Sequence, residues 1–96
     1  MSQTHRINRN NTTVTTLPDG TRVVVLHKTP VVTAHADGRV TFCTGGWFTA
    51  TTRTRINQVC SEWGIPWRVG FTKAANAARN YVTGEVREFV GDSLTV

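Results

Sequence analysis

The residues with the clearest chemical potential lie in one short segment of the chain. The first turn of a helix exposes backbone N–H groups and partial positive charge, so Asp or Glu usually occupies it. Here a helical pattern begins instead with hydroxyls and guanidinium groups behind a double glycine, a set that suits a phosphate or carboxylate supplied by a partner. The candidate contact and anion-binding residues are Gly45, Gly46, Trp47, Thr49, Thr51, Thr52, Arg53 and Arg55.

The alternative for this segment is a threonine-capped helix whose two arginines point into solvent. Trp47 follows the double glycine, which either allows a ligand to approach closely or only forms a turn. The glycine and lysine spacing of a nucleotide-binding phosphate loop is absent. The segment is therefore predicted to be a contact surface and not a nucleotide site.

The acidic residues and the histidines are not arranged for catalysis. Asp19 and Asp37 precede glycines in predicted turns, and no pair of carboxylates converges. His27 and His35 would face each other only if residues 28–31 reverse the chain, and no third ligand accompanies them at a metal-binding spacing. We therefore predict no enzyme activity, no catalytic residue, no metal and no cofactor.

Composition and charge limit the kind of protein and of partner. The chain has 96 residues, of which 39% are hydrophobic and 18% charged, with a net charge of +5. We predict a flexible N-terminal arm over residues 1–11 and one domain over residues 12–96. The positive charge favours nucleic acid or an acidic protein surface as a partner.

The sequence also carries signals about compartment. No apolar run reaches the roughly 20 residues that span a bilayer, and the N-terminus has no hydrophobic leader. Cys43 and Cys60 lack the spacing of a metal site and are expected to be buried, reduced thiols. These features predict a cytoplasmic protein without a membrane partner.

The first half of the chain has the pattern of successive strands. Residues 12–17 and 21–27 are rich in β-branched residues and flank a Pro-Asp-Gly turn. Residues 28–31 either reverse the chain tightly or continue the strand with a bend. Asp37-Gly38 predicts a hairpin that leads into a strand over residues 39–44.

A helix is expected next, followed by more strands. Its apolar stripe comprises Ile56, Val59, Cys60 and Trp63, and Gly64 ends it. Thr51 or Thr52 is the expected N-cap, and Arg53 and Arg55 are expected on the solvent side.

The C-terminal half returns to strand patterns. Residues 67–72 alternate as a strand and residues 73–80 are expected to form a loop. Residues 81–90 form either a hairpin around Thr83-Gly84 or one strand with a glycine bulge. The order of elements predicts an α+β fold, a mostly antiparallel sheet of four to six strands with one amphipathic helix packed on it.

Three segments together resemble a group of small bacteriophage proteins with no assigned activity. They are residues 25–33 (VLHKTPVVT), 37–41 (DGRVT) and 45–58 (GGWFTATTRTRINQ). The resemblance implies an accessory protein that acts in the cytoplasm of an infected bacterium, and it assigns no catalytic residue. We expect a protein of the bacterial host as the partner. The alternative is nucleic acid or phosphate bound at the basic helix end around Arg53 and Arg55.

Overall fold

The computed structural model describes residues 12–72 and 75–96, which contain eight strands and one helix. The predicted N-terminal arm lies outside the described residues. In chain order the elements are β1 (Thr12–Thr16), β2 (Arg22–Leu26), β3 (Thr29–Ala34), β4 (Val40–Cys43), α1 (Ala50–Trp63), β5 (Trp67–Phe71), β6 (Asn76–Asn80), β7 (Val86–Glu88) and β8 (Ser93–Thr95).

The strands form two antiparallel sheets. The larger has the order β1-β2-β3-β4-β8, and the smaller has the order β5-β6-β7. The predicted α+β class is confirmed, and the larger sheet falls within the four to six strands expected. The second sheet, assembled after the helix, is an addition to that prediction.

The chain reverses tightly between β2 and β3, which settles the alternative that the sequence left open. Leu26 pairs with Thr29, so His27 and Lys28 alone make the turn. His27 has a φ of 56°, the left-handed conformation that two-residue hairpin turns require. His35 lies beyond the opposite end of β3, so the two histidines do not face each other.

The second predicted hairpin is confirmed. Asp37 and Gly38 lie in the turn between β3 and β4, and Gly38 has a φ of 94°. The Asp37 carboxylate accepts a hydrogen bond from the backbone N–H of Arg39 at 3.1 Å. Its side chain therefore stabilises the turn in the way expected of aspartate before glycine.

The loop expected over residues 73–80 is wrong for residues 76–80, which form β6. Residues 73 and 74 lie outside the described part of the chain. Ala78 is fully buried opposite Val69 of β5, so pairing with β5 outweighs the poor strand propensity of alanine. Of the two arrangements expected for residues 81–90 the hairpin is correct, although its first strand is β6 and its turn covers residues 81–85.

The helix and the larger sheet enclose the core. Ile56, Val59 and Cys60 are fully buried, as the helical stripe predicts, and Val24 and Phe42 lie among the buried residues of the sheet. Gly64 ends the helix in the left-handed conformation and its N–H donates to the Cys60 carbonyl. No helix in the described ranges is long and apolar enough to cross a membrane.

A side-chain amide joins the helix to the smaller sheet. Asn57 Nδ2 donates to the Val69 carbonyl at 3.1 Å, and the Val69 N–H donates to Asn57 Oδ1 at 2.8 Å. Since β5 pairs with β6 on its other side, Asn57 occupies the edge that a further strand would otherwise take. This pair of hydrogen bonds fixes α1 against β5.

Both cysteines are free thiols, and Cys60 is buried as predicted, whereas Cys43 is only half-buried. Burial raises the pKa of the Cys60 thiol to about 12, because apolar surroundings disfavour the thiolate. In the unfolded chain the same group ionises at about pH 8.5. The folded state therefore holds this proton more tightly than the unfolded state does.

The stability contributed by Cys60 is complete below about pH 8.5 and is lost as the pH rises toward the folded pKa. We expect Cys60 to lower the free energy of unfolding by about 1.4 kcal/mol per pH unit above about pH 9. Urea denaturation at about pH 8 and about pH 10.5 measures this slope. The Cys60→Ala variant should show a shallower slope; identical slopes in the two proteins would contradict the expectation.

Candidate site at the start of the helix

The segment between β4 and α1 begins with a tight turn. Gly45 and Gly46 have φ values of 62° and 87°, and the Trp47 N–H donates to the Thr44 carbonyl at 3.0 Å. Two successive positive φ values are easily adopted only by residues such as glycine. Thr44 is buried beneath the turn, and its N–H donates to the Asp92 carbonyl at 2.8 Å.

The turn presses against the hairpin between β2 and β3. A Cβ atom on Gly45 would lie 2.8 Å from Thr29 Oγ1 and 3.0 Å from Thr29 Cγ2, whereas one on Gly46 would meet nothing within 4 Å. The first glycine is thus required both for its backbone conformation and for the close approach to Thr29.

Two adjacent aromatic residues of the segment take opposite roles. Phe48 packs edge-to-face on Phe71 and Phe89, with ring centroids 5.1 Å and 5.8 Å away. This contact anchors the segment to the smaller sheet. Trp47, by contrast, remains 67% exposed.

The helix begins earlier than the sequence suggests. Thr49 is the N-cap, and its Oγ1 accepts a hydrogen bond from the Thr52 N–H at 3.3 Å. The expected N-caps, Thr51 and Thr52, instead lie in the first turn, because Ala50 is already helical. No acidic residue occupies this turn, so the unusual charge pattern seen in the sequence is present in the structure.

A cleft of about 410 Å³ opens between the helix start and the β2–β3 hairpin. Threonine side chains supply most of its polar groups, and Trp47 and Leu26 supply apolar surface. Such a mixture of apolar wall and a few hydroxyls is typical of binding clefts. The lining residues are Leu26, His27, Thr29, Thr44, Trp47, Thr49, Thr51 and Thr52.

The structure gathers only part of the predicted contact set around this cleft. Trp47 and the three threonines at positions 49, 51 and 52 line it, and Gly45 and Gly46 form the adjoining turn. Neither Arg53 nor Arg55 belongs to the lining. The sequence predicted one site for the threonine hydroxyls and the two arginines, but only the threonines line the cleft.

The expectation that Arg55 lies on the solvent side of the helix is wrong. The residue is only 6% exposed, and its Nη1 donates to Gln58 Oε1 at 2.9 Å. Its Nε has no hydrogen-bond partner among the described residues, and burial lowers the pKa of the guanidinium. Arg53 is exposed and remains the accessible cation of the pair.

Sequence reasoning missed His27 and Thr29 as residues of this site. They come from the β2–β3 hairpin, and only the reversal at residues 27 and 28 brings them to the helix start. A signal was present in the Thr-Pro pair at residues 29 and 30, which favours an extended conformation just after a turn.

Comparison with known proteins gives one finding. A family model described as Kyanoviridae Gp96 protein matches residues 1–94. No curated protein and no solved structure matches the chain. The matched range contains the helix start and the β2–β3 hairpin, so the candidate cleft lies within the region that the family model describes.

Proposed function

The chain belongs to the Kyanoviridae Gp96 family of phage-encoded proteins, and we propose that it is a non-enzymatic accessory protein that binds a protein of the infected bacterium. It acts in the host cytoplasm and needs no cofactor. The contact is made at the cleft beside the helix start, and the binding modulates the host protein.

The observation that carries this proposal is the exposure of Trp47 at the cleft. A tryptophan that is 67% exposed places a large apolar surface in water, which is costly unless another surface covers it. Tryptophan is also among the residues that contribute most to protein–protein binding energy. The neighbouring Phe48 packs on two other aromatic rings, and this contact holds the backbone beside Trp47 in place.

The lining of the cleft fits a polypeptide better than a polyanion. No lysine or arginine of the described residues lines it, and the burial of Arg55 removes one of the two cations expected at the helix end. The hydroxyls of Thr44, Thr49 and Thr52 are bonded within the chain. Those of the half-buried Thr29 and the exposed Thr51 can both donate and accept hydrogen bonds, as the N–H and C=O groups of a peptide require. Nucleic acid bound at the helix end through Arg53 is the competing outcome of the test.

The test is capture of a host protein by tagged protein from lysate with and without nuclease treatment, followed by titration of the purified partner. We expect Trp47→Ala to weaken the affinity by more than about tenfold, the loss typical of a central aromatic contact. Tyr81→Ala is the matched control, since Tyr81 is also an exposed aromatic residue, 60% accessible, but lies outside the cleft. Capture that nuclease abolishes, or equal affinity of Trp47→Ala and wild type, would contradict the proposal.

A further inference from the structure

The outer face of the smaller sheet carries a row of arginines beside an exposed tyrosine. Arg68 of β5 lies directly opposite Arg79 of β6, and Gly70 lies opposite Ala77 in the next row on the same face. The Tyr81 N–H donates to the Pro66 carbonyl at 3.1 Å, which continues the ladder. Because side chains alternate along a strand, Tyr81 lies on the face of Arg79. We call Arg68, Gly70, Ala77, Arg79 and Tyr81 the platform.

The two arginines of the platform are not neutralised. Like charges directly opposite each other destabilise a sheet. Two arginines outside the platform, Arg39 and Arg87, each form an ion pair with a carboxylate, at Nε–O distances of 2.8 Å and 2.6 Å. No carboxylate among the described residues forms such an ion pair with Arg68 or Arg79. The face therefore holds two adjacent positive charges that an anionic partner would compensate.

The tyrosine is held in place for stacking. The Arg68 guanidinium lies 5.0 Å from the centre of the Tyr81 ring, and its Nη1 donates to the carbonyls of Ile65 at 2.8 Å and Trp67 at 2.7 Å. These bonds fix the cation, and the cation orients the ring. Tyr81 nevertheless stays 60% exposed, so most of the aromatic side chain is available to a ligand.

The row of the platform next to the arginines contains only small residues. A Cβ atom at Gly70 would meet nothing within 4 Å, and its cross-strand partner Ala77 has only a methyl side chain. A flat group can therefore reach the sheet beside the arginines, on the side away from Tyr81. Glu88, opposite Ala77 on β7, places a negative charge on the same face, diagonal to Arg79.

We infer that the platform binds single-stranded nucleic acid, with a base stacked on Tyr81 and phosphates neutralised by Arg68 and Arg79. A basic surface with an aromatic side chain is the arrangement by which proteins hold single strands without sequence preference. This activity goes beyond the proposed host-protein contact, since the platform and the cleft share no residue. A single protein could then hold a host protein and a nucleic-acid strand at once.

The test is fluorescence anisotropy with labelled oligo(dT) and oligo(U) of about 12 nucleotides, a length within the usual site size. We expect affinity that falls with salt, and a salt slope that Arg79→Ala reduces by about 0.7, the value for one phosphate contact to a single strand. Tyr81→Ala should weaken binding at least about fivefold, whereas Tyr81→Phe retains it. Glu88→Gln should tighten binding, because it removes the acid of this face. Comparison of the two probes shows whether DNA or RNA is preferred.

Arg39→Ala is the matched control, because it removes the same charge from an exposed arginine in the turn between β3 and β4. Its effect should be clearly smaller than that of Arg79→Ala. The absence of binding to both probes at about 50 mM salt, or equal losses in the two arginine variants, would overturn the assignment. Preserved thermal unfolding of each variant excludes misfolding as the cause. Trp47→Ala should leave oligonucleotide binding unchanged, which separates this outcome from that of the host-protein test.

Discussion

Replacing Gly45 with alanine is expected to destabilise the protein by about 2–5 kcal/mol. The left-handed backbone costs about 1–2 kcal/mol for a residue with a Cβ atom. The new methyl group would also lie 2.8 Å from Thr29 Oγ1, and overpacking of this kind adds about 1–3 kcal/mol. Because Thr29 lines the cleft, the same change should move the hairpin away from the helix start and weaken binding at the cleft. Urea denaturation measures the loss of stability.

The neighbouring glycine provides the control for this prediction. Gly46→Ala imposes a similar backbone strain, at a φ of 87°, without a steric contact, so it should cost only about 1–2 kcal/mol. The double variant Gly45→Ala/Thr29→Ala removes both atoms that the new methyl group would strike, and it should be more stable than Gly45→Ala alone. If the two glycine variants were equally unstable, the close approach to Thr29 would not matter.

Asn57→Ala is expected to cost about 2–6 kcal/mol, since it leaves the N–H and the C=O of Val69 without partners, at about 1–3 kcal/mol for each buried group. The effect should be local as well as global. Amide hydrogen exchange at Val69 should accelerate more than exchange at the buried strands of the larger sheet. Both observables report on the two hydrogen bonds that hold α1 against β5.

A threonine on the same helix is the control for Asn57. Thr54 is exposed, so Thr54→Ala should change the stability by less than about 0.5 kcal/mol. Unchanged exchange at Val69 in Asn57→Ala would show that the side-chain amide does not secure the edge of β5.

The parts of the fold that the sequence predicts correctly depend on local signals. The stripe of Ile56, Val59 and Cys60 and the helix stop at Gly64 follow from helical periodicity and glycine conformation. The Asp37-Gly38 turn follows from turn chemistry. Each of these signals is contained within a few neighbouring residues, so no knowledge of distant contacts is needed.

The features that sequence reasoning missed depend on contacts between distant residues. Residues 76–80 form a strand only because β5 is available to pair with them, and their alanines gave no sign of it. Arg55 stands next to Ile56 at the margin of the apolar stripe, where burial depends on what packs beside the helix. The cleft needed the reversal at His27, which brings Thr29 against Gly45.

Photo-crosslinking from position 47 during infection tests whether the cleft binds a host protein. A photoreactive phenylalanine in place of Trp47 would lie at the cleft, and the same group at position 81 would lie on the platform. We expect position 47 to crosslink to one host protein and position 81 not to crosslink to it. Crosslinks from position 47 to nucleic acid, or an absence of any protein adduct there, would contradict the proposal that the cleft binds a host protein.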